Sequence, residues 1–275
     1  MIRALLAMLA LAVATVPARA VLLGPGNGTD NTTDPGVGWA YVHPAGGNSF
    51  TYLGNGWVIT AYHVAQGNAF PVTIDSVTYQ PDPDPSKKHR LVSPTNQPVD
   101  LFMFKLQTWP DIEPVIIPTS SPAANAPVTL IGAGADRGSA TTYLGIDGYF
   151  WAGSKTKRWG TNLVDGLQVV DSGYGPTHSF LMDWDQVGTT WEATGAAGDS
   201  GGGVFDAQGR LLGIIIALDS YSGQPANASF FGSSVAAADL SVFRNQIDSY
   251  GALPEPGTAG LLVAAGALLL RRRRP

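Results

Sequence analysis

The sequence predicts an all-β body closed by one short helix. Three observations carry this expectation. Glycine and proline are abundant, 34 and 20 of 275 residues, and cut the chain into short pieces. Between them lie brief apolar or alternating runs of the kind that pair as strands in a sandwich or barrel. Only residues 236–249 show helical spacing, which sets Leu240, Phe243 and Ile247 on one face.

In chain order, residues 1–20 come first. Arg3, an apolar run from Ala4 to Val16 and the small-residue triplet Ala18-Arg19-Ala20 form the three-part pattern of a secretory signal peptide. Cleavage after Ala20 makes Val21 the first residue. Gly24 to Gly36 reads as a polar strap. Strands are expected at Gly38–Val42, Gly56–Thr60, Leu101–Leu106, Val128–Ile131, Gly202–Phe205 and Leu211–Leu218. Loops are expected at Gln80–Pro85 and Pro118–Pro127, where Pro, Asp and Ser gather. No internal repeat of fixed period is present. After the helix, Pro254-Glu255-Pro256 leads into an apolar stretch from Thr258 to Leu270 and then Arg271 to Arg274. That stretch is 13 residues, short of the about 20 that a bilayer-spanning helix needs. The arginines would hold its end on the cytoplasmic side.

Charge narrows the partners. Arg3, Arg19, the four terminal arginines and Glu255 fall in the two end segments, so residues 21–253 hold 10 basic and 20 acidic side chains. Such an acidic body disfavours nucleic acid or an anionic membrane as partner, because both demand clustered Lys and Arg. With no cysteine, neither disulfides nor thiolate chemistry is available. The four histidines, at 43, 63, 89 and 178, include no His-x-x-x-His pair, so a zinc-peptidase ligand set is missing.

The segment richest in chemistry is Gly198-Asp199-Ser200-Gly201-Gly202. A serine needs a neighbouring general base to act as a nucleophile. The glycines let the backbone turn tightly, so that the N–H groups of Gly198 and Ser200 can face one oxygen and stabilise a developing oxyanion. The same letters satisfy the Gly-x-Ser-x-Gly elbow of α/β-hydrolases, but that triad requires a histidine after the serine, and the last histidine here is His178. An Asp, His, Ser order would have to draw on Asp30 or Asp34 of the polar strap. The order His, Asp, Ser finds its base at the end of Asn55-Gly56-Trp57-Val58-Ile59-Thr60-Ala61-Tyr62-His63. Its acid comes at Val99-Asp100, the opening of an apolar strand. An aspartate buried there can orient the imidazole and stabilise its protonated form.

In these motifs and their order, the body from Gly36 to Tyr250 resembles the trypsin-like, chymotrypsin-fold serine peptidases. Leu130-Ile131-Gly132-Ala133-Gly134 and Leu211-Leu212-Gly213-Ile214 extend the likeness, as does the closing strand and helix over Gly232 to Ile247. The resemblance implies two six-stranded antiparallel β-barrels with a seam near residues 115–128 and the site between them. It further implies a triad of His63, Asp100 and Ser200, an oxyanion hole at Gly198 and Ser200, and a substrate pocket at Thr194, Ile216 and Leu218. The implied partner is a polypeptide substrate, hydrolysed through an acyl-enzyme by a monomer without cofactor. The last 22 residues resemble the PEP-CTERM sorting signal of Gram-negative bacteria. That likeness implies exosortase-type sorting machinery as a partner, a transient anchor, and a protein delivered outside the inner membrane.

Departures from the family shape the expected specificity. Thr194 stands where trypsin has an aspartate, and Leu218 would narrow the pocket, so a small or medium uncharged side chain before the cut is expected. A slip in alignment would instead bring in Glu192 and a basic preference. No Arg-Ile-Val-Gly-Gly activation site occurs. Asp199, whose equivalent in animal relatives pairs with a freed N-terminus, is expected to meet Val21 or an internal base such as Arg137. His43, His89 and His178 are expected in turns, and Trp151, Trp159 and Trp184 in loops. Asp183 and Asp185 could meet a cation, but two carboxylates do not make a site. Two alternatives stay open: a protease-fold binding or matrix protein without turnover, and an esterase on the same triad.

Overall fold

A computed structural model describes residues 21–24, 26 and 28–253. The expectations placed on residues 1–20 and on the tail from Pro254 lie outside them. Nearly all regular structure is antiparallel β. In the first half these are β1 (Leu22–Leu23), β2 (Val42–Ala45), β3 (Asn48–Gly54), β4 (Trp57–Thr60), the one-turn helix α1 (Tyr62–Ala65), β5 (Val72–Ile74), β6 (Val77–Tyr79), β7 (Lys88–Val92) and β8 (Pro98–Lys105). In the second half they are β9 (Pro127–Gly132), β10 (Ala135–Tyr143), β11 (Ile146–Lys155), β12 (Arg158–Leu163), β13 (Gly166–Asp171), β14 (Pro176–Asp183), β15 (Ala193–Thr194), β16 (Gly203–Phe205), β17 (Leu211–Leu218), β18 (Ala228–Phe230), β19 (Ser234–Asp239) and the helix α2 (Leu240–Ser249).

Two principal sheets organise the molecule. One has five strands in the order β2-β3-β4-β8-β7, the other seven in the order β12-β9-β16-β17-β19-β14-β13. They stand where the two antiparallel barrels were expected, one in each half of the body. Residues 106–126 pass between them without strand or helix, and touch both: Val115 N–H donates to Leu53 O (2.9 Å), and Leu211 N–H donates to Ile116 O (2.9 Å).

Burial on two faces explains the unbroken apolar runs. In β8, Leu101 and Met103 enter a core shared with Ile131, Phe205 and Ile214 of the second sheet, while Phe102 and Phe104 pack with Phe50, Tyr52 and Val58 inside the first. Helix α2 closes the shared core with Leu240, Phe243 and Ile247. It starts later than its spacing suggested. Residues 236–239 belong to β19, because Ala236 to Asp239 pair with β17, and the Asp239 carboxylate then caps the helix by accepting from Ser241 N–H.

Other expectations are corrected. Trp39 to Tyr41 form a 3₁₀ turn after Gly38, whose φ is +72°, so the strand expected at Gly38–Val42 begins only at Val42. His43, His89 and His178 lie in β2, β7 and β14 rather than in turns, and Trp151 and Trp159 lie in β11 and β12. Trp184 lies outside strand and helix, as expected, and is fully buried against Phe231. Among the described residues no helix is long and apolar enough to cross a membrane.

Candidate active site

His63 sits on α1, one turn of helix directly after β4, stopped by Gln66 at φ +48°. Asp100 lies on the neighbouring strand β8 and is fully buried. The two meet twice. The backbone N–H of His63 donates to Asp100 Oδ1 at 2.9 Å, and its ring Nδ1 lies 2.8 Å from Asp100 Oδ2. Because a carboxylate only accepts, this contact places the proton on Nδ1 and leaves Nε2 free as an acceptor. Side-chain exposure of 24% opens the imidazole to the cleft, whereas the carboxylate has none.

The loop of Ser200 is held from the first sheet by buried hydroxyls. Ser49 Oγ donates to Gly198 O (3.0 Å) and accepts from Ala133 N–H (2.8 Å), while Ser49 N–H donates to Ser200 O (3.1 Å). Thr51 Oγ1 donates to Gly201 O (3.0 Å), and Thr60 Oγ1 donates to Ser49 O (2.9 Å). Gly201 has to be glycine: its φ is +90°, and a Cβ would come 2.0 Å from Ser49 O and 2.2 Å from Thr60 Oγ1. Thr60, which this packing sets against Gly201, is three residues before His63. The N–H groups of Gly198 and Ser200 meet no acceptor among the described residues. No hydrogen bond joins Ser200 Oγ to the His63 ring.

Asp199 turns inward beneath that loop. Its carboxylate accepts from Gly134 N–H (2.8 Å), Ala196 N–H (2.7 Å) and the backbone N–H of Val21. Burial pushes it up from an ordinary 3.8 to about 6, against the pull of those donors and of the nearby Lys155 charge. The glycines of Gly132-Ala133-Gly134 make its room, since a Cβ on Gly132 would lie 2.2 Å from Asp199 Oδ1. Of the two groups expected at this carboxylate, Val21 is the one that meets it. Arg137 spans the entry strap, donating to Leu23 O (2.7 Å), Gly24 O (2.9 Å) and Gly26 O.

A cavity of about 540 Å³ opens beside His63, with Ile216 and Leu218 in its wall. Thr194, expected in the pocket, is not among the lining residues: it is 1% exposed and paired with Leu22. Leu218 Cδ2 lies 2.7 Å from where a Cβ on Gly195 would stand, so the leucine fills the space next to that glycine. Glu192 is committed elsewhere. Its carboxylate accepts from Thr189 N–H (2.8 Å), Thr189 Oγ1 (2.8 Å) and Asp185 N–H (3.2 Å), and it is not among the residues lining the cavity. Among the described residues no group of three His, Asp or Glu is placed to hold a metal.

Several residues at the site had escaped sequence reading. Ser172 Oγ donates to Asp100 Oδ2 at 2.7 Å, and Thr177 Oγ1 accepts from Asp100 N–H at 3.0 Å. Both belong to the β13–β14 hairpin of the second sheet. Ser49, Thr51 and Thr60 likewise carry no local motif, as each is a hydroxyl inside an ordinary strand.

The profile of the trypsin-like peptidase domain matches residues 47–214, more than half of the chain and a span that holds His63, Asp100 and Ser200. The chain belongs to the trypsin-like peptidase family. Solved structures agree on the trypsin-like fold. Mouse neuropsin, a serine protease expressed in the limbic system of the brain, superposes with a TM-score of 0.53 at 14% identity, over 80% of this chain and 97% of that one. A double mutant of human heparin binding protein superposes with a TM-score of 0.51 at 15% identity, over 82% of this chain and 97% of its own. No curated protein matches the chain in sequence.

Proposed function

We propose that this trypsin-like peptidase is an exported serine endopeptidase. In this reading Ser200 Oγ attacks the scissile carbonyl, and His63 Nε2 takes its proton and passes it to the leaving amine. Asp100 holds the imidazole, while the N–H groups of Gly198 and Ser200 receive the oxyanion. Water then hydrolyses the acyl-enzyme along the same proton path. The observation that carries the reading is the double contact of His63 with a fully buried Asp100, together with a glycine loop whose two N–H groups are unspent.

Substrate preference follows from Leu218. A side chain packed against Gly195 leaves room for a small or medium uncharged residue before the cut, and Glu192 is no longer available to favour a basic one. Export rests on the signal-peptide pattern of residues 1–20. Transient anchoring and exosortase processing rest on the Pro-Glu-Pro, apolar and arginine-rich tail. Signal removal after Ala20 would also turn the Val21 amide beside Asp199 into an α-ammonium, an ion pair at the base of the oxyanion loop.

A second reading, a binding or matrix protein without turnover, draws on the missing bond between Ser200 and His63. Such bonds are often long before substrate arrives. A fluorophosphonate probe decides between the two. The protein produced from the full-length chain is expected to be labelled, and its Ser200→Ala variant not. A folded wild type that resists the probe favours the second reading.

A further inference from the structure

The turn joining β13 to β14 reaches across from the second sheet onto the His63–Asp100 pair of the first. Asp100 Oδ2 receives two donors, His63 Nδ1 at 2.8 Å and Ser172 Oγ at 2.7 Å. The turn that delivers Ser172 is fastened on every side. Asp171 Oδ1 accepts from Gly173 N–H (2.9 Å) and Gly175 N–H (3.1 Å). Gly175, at φ +105°, lies so near β8 that a Cβ would come 2.0 Å from Pro98 O. Thr177 Oγ1, while accepting from Asp100 N–H, donates to Gly175 O at 3.0 Å.

Arg90 of β7 binds the turn from the first sheet. Its Nε donates to Val99 O (3.0 Å) and its Nη2 to Tyr174 O, and its guanidinium lies 3.7 Å over the Tyr62 ring. Tyr174 in turn stands 5.5 Å, centroid to centroid, from the imidazole of His63. The strand after the nucleophile loop offers no replacement for the hydroxyl, because Ile214, Ile215 and Ile216 have no donor in their side chains.

The geometry points to Ser172 as a positioning residue of this active site, one that fixes the plane of the Asp100 carboxylate and thereby the direction of His63 Nε2. This rests on the serine-peptidase reading above. Its chemistry is that of a neutral donor to a buried anion: the hydroxyl satisfies a lone pair that the imidazole does not use, and keeps the carboxylate from rotating away from the ring. Ser172 touches neither substrate nor reacting atoms, so its influence passes wholly through Asp100.

The test compares wild type, Ser172→Ala and Ser172→Thr, each produced from the full-length chain, by steady-state peptide hydrolysis and by the ¹H resonance of the His63 Nδ1 proton. Loss of a hydrogen bond to a charged group predicts that Ser172→Ala lowers kcat about tenfold, with KM unchanged. The Nδ1 proton is expected to leave its wild-type position and broaden. Ser172→Thr keeps the hydroxyl and restores both. Should Ser172→Ala fail to fold, Ser172→Cys, nearly isosteric and a weaker donor, takes its place.

A folded variant with wild-type kcat and an unmoved resonance overturns the assignment while the fluorophosphonate-labelled wild type keeps the peptidase reading intact. A drop that Ser172→Thr does not rescue also overturns it, by showing that the turn matters only for packing. A wild type that neither takes the probe nor hydrolyses peptide sinks the parent reading and this one together.

Discussion

The backbone N–H of Val21 donates to the carboxylate of Asp199, one residue before Ser200. Val21 is almost fully buried, and β1 carries it there by pairing Leu22 with Thr194 and Leu23 with Ala193. A residue that follows an expected signal-cleavage site is thus already seated beneath the Ser200 loop.

This seating predicts the cost of a retained residue. A protein that begins at Val21 should be active, and one with a single extra residue before Val21 should lose activity by about 10²-fold, the scale of one lost oxyanion donor. Equal kcat/KM for the two would remove any role for the Val21 amine.

The same pair has a pH signature. In the extended protein Asp199 is raised to about 6, so its ionised form is penalised in the fold above that pH. Stability should therefore rise as pH falls from about 6 towards 3.8, by on the order of 3 kcal/mol at most. In the processed protein the α-ammonium holds the carboxylate charged, and the rise should vanish. Urea midpoints of the two forms at pH 7 and pH 5 make the comparison.

His43 gives the opposite slope. Burial first, and the Lys157 charge second, lower it from 6.5 to about 4, so the folded protein excludes a proton that the unfolded chain binds. Stability is expected to fall as pH drops from 6.5 to about 4. His43→Gln should flatten that part of the profile in urea titrations, because the replacement does not titrate.

Leu218→Gly should widen specificity. Removing the side chain packed against Gly195 opens the space next to the cleft. Hydrophobic pocket contacts discriminate by about 10 to 200-fold. We expect kcat/KM for a bulky aromatic side chain before the cut to rise at least about tenfold, with alanine substrates little changed. An unchanged profile would place the selecting wall elsewhere.

Gly201→Ala tests the packing of the nucleophile loop. A Cβ there meets Ser49 O and Thr60 Oγ1 at a positive φ. Overpacking and backbone strain together predict about 2–4 kcal/mol of destabilisation, read from a shift in the urea midpoint.

What the sequence made legible was local. Gly198 to Gly202, the approach to His63 and the strand after Asp100 each announce themselves within a few residues, because glycine and unbroken apolar runs mark tight turns and doubly buried strands. Strands β10 to β14 did not. Ser139 and Ala140, or Gln168 and Val169, expose both faces at sheet edges, so the expected alternation is absent. The alanines at 236–238 read as helix by propensity, yet pairing with β17 overrides it. Ser172 could not be found at all: a serine in Ser172-Gly173-Tyr174-Gly175 is an ordinary turn residue until the hairpin folds over β8.

The ties that complete the site join distant parts of the chain. Ser172 meets Asp100 across 72 residues, Ser49 meets Gly198 across 149 and Thr51 meets Gly201 across 150. Contacts of such span form late and slowly, because so much chain must be closed into loops first. Under the peptidase reading, a nascent polypeptide therefore carries His63, Asp100 and Ser200 without their arrangement, and hydrolysis would begin only once both halves have docked. For a protein proposed for export, that late assembly would itself safeguard the compartment that makes it.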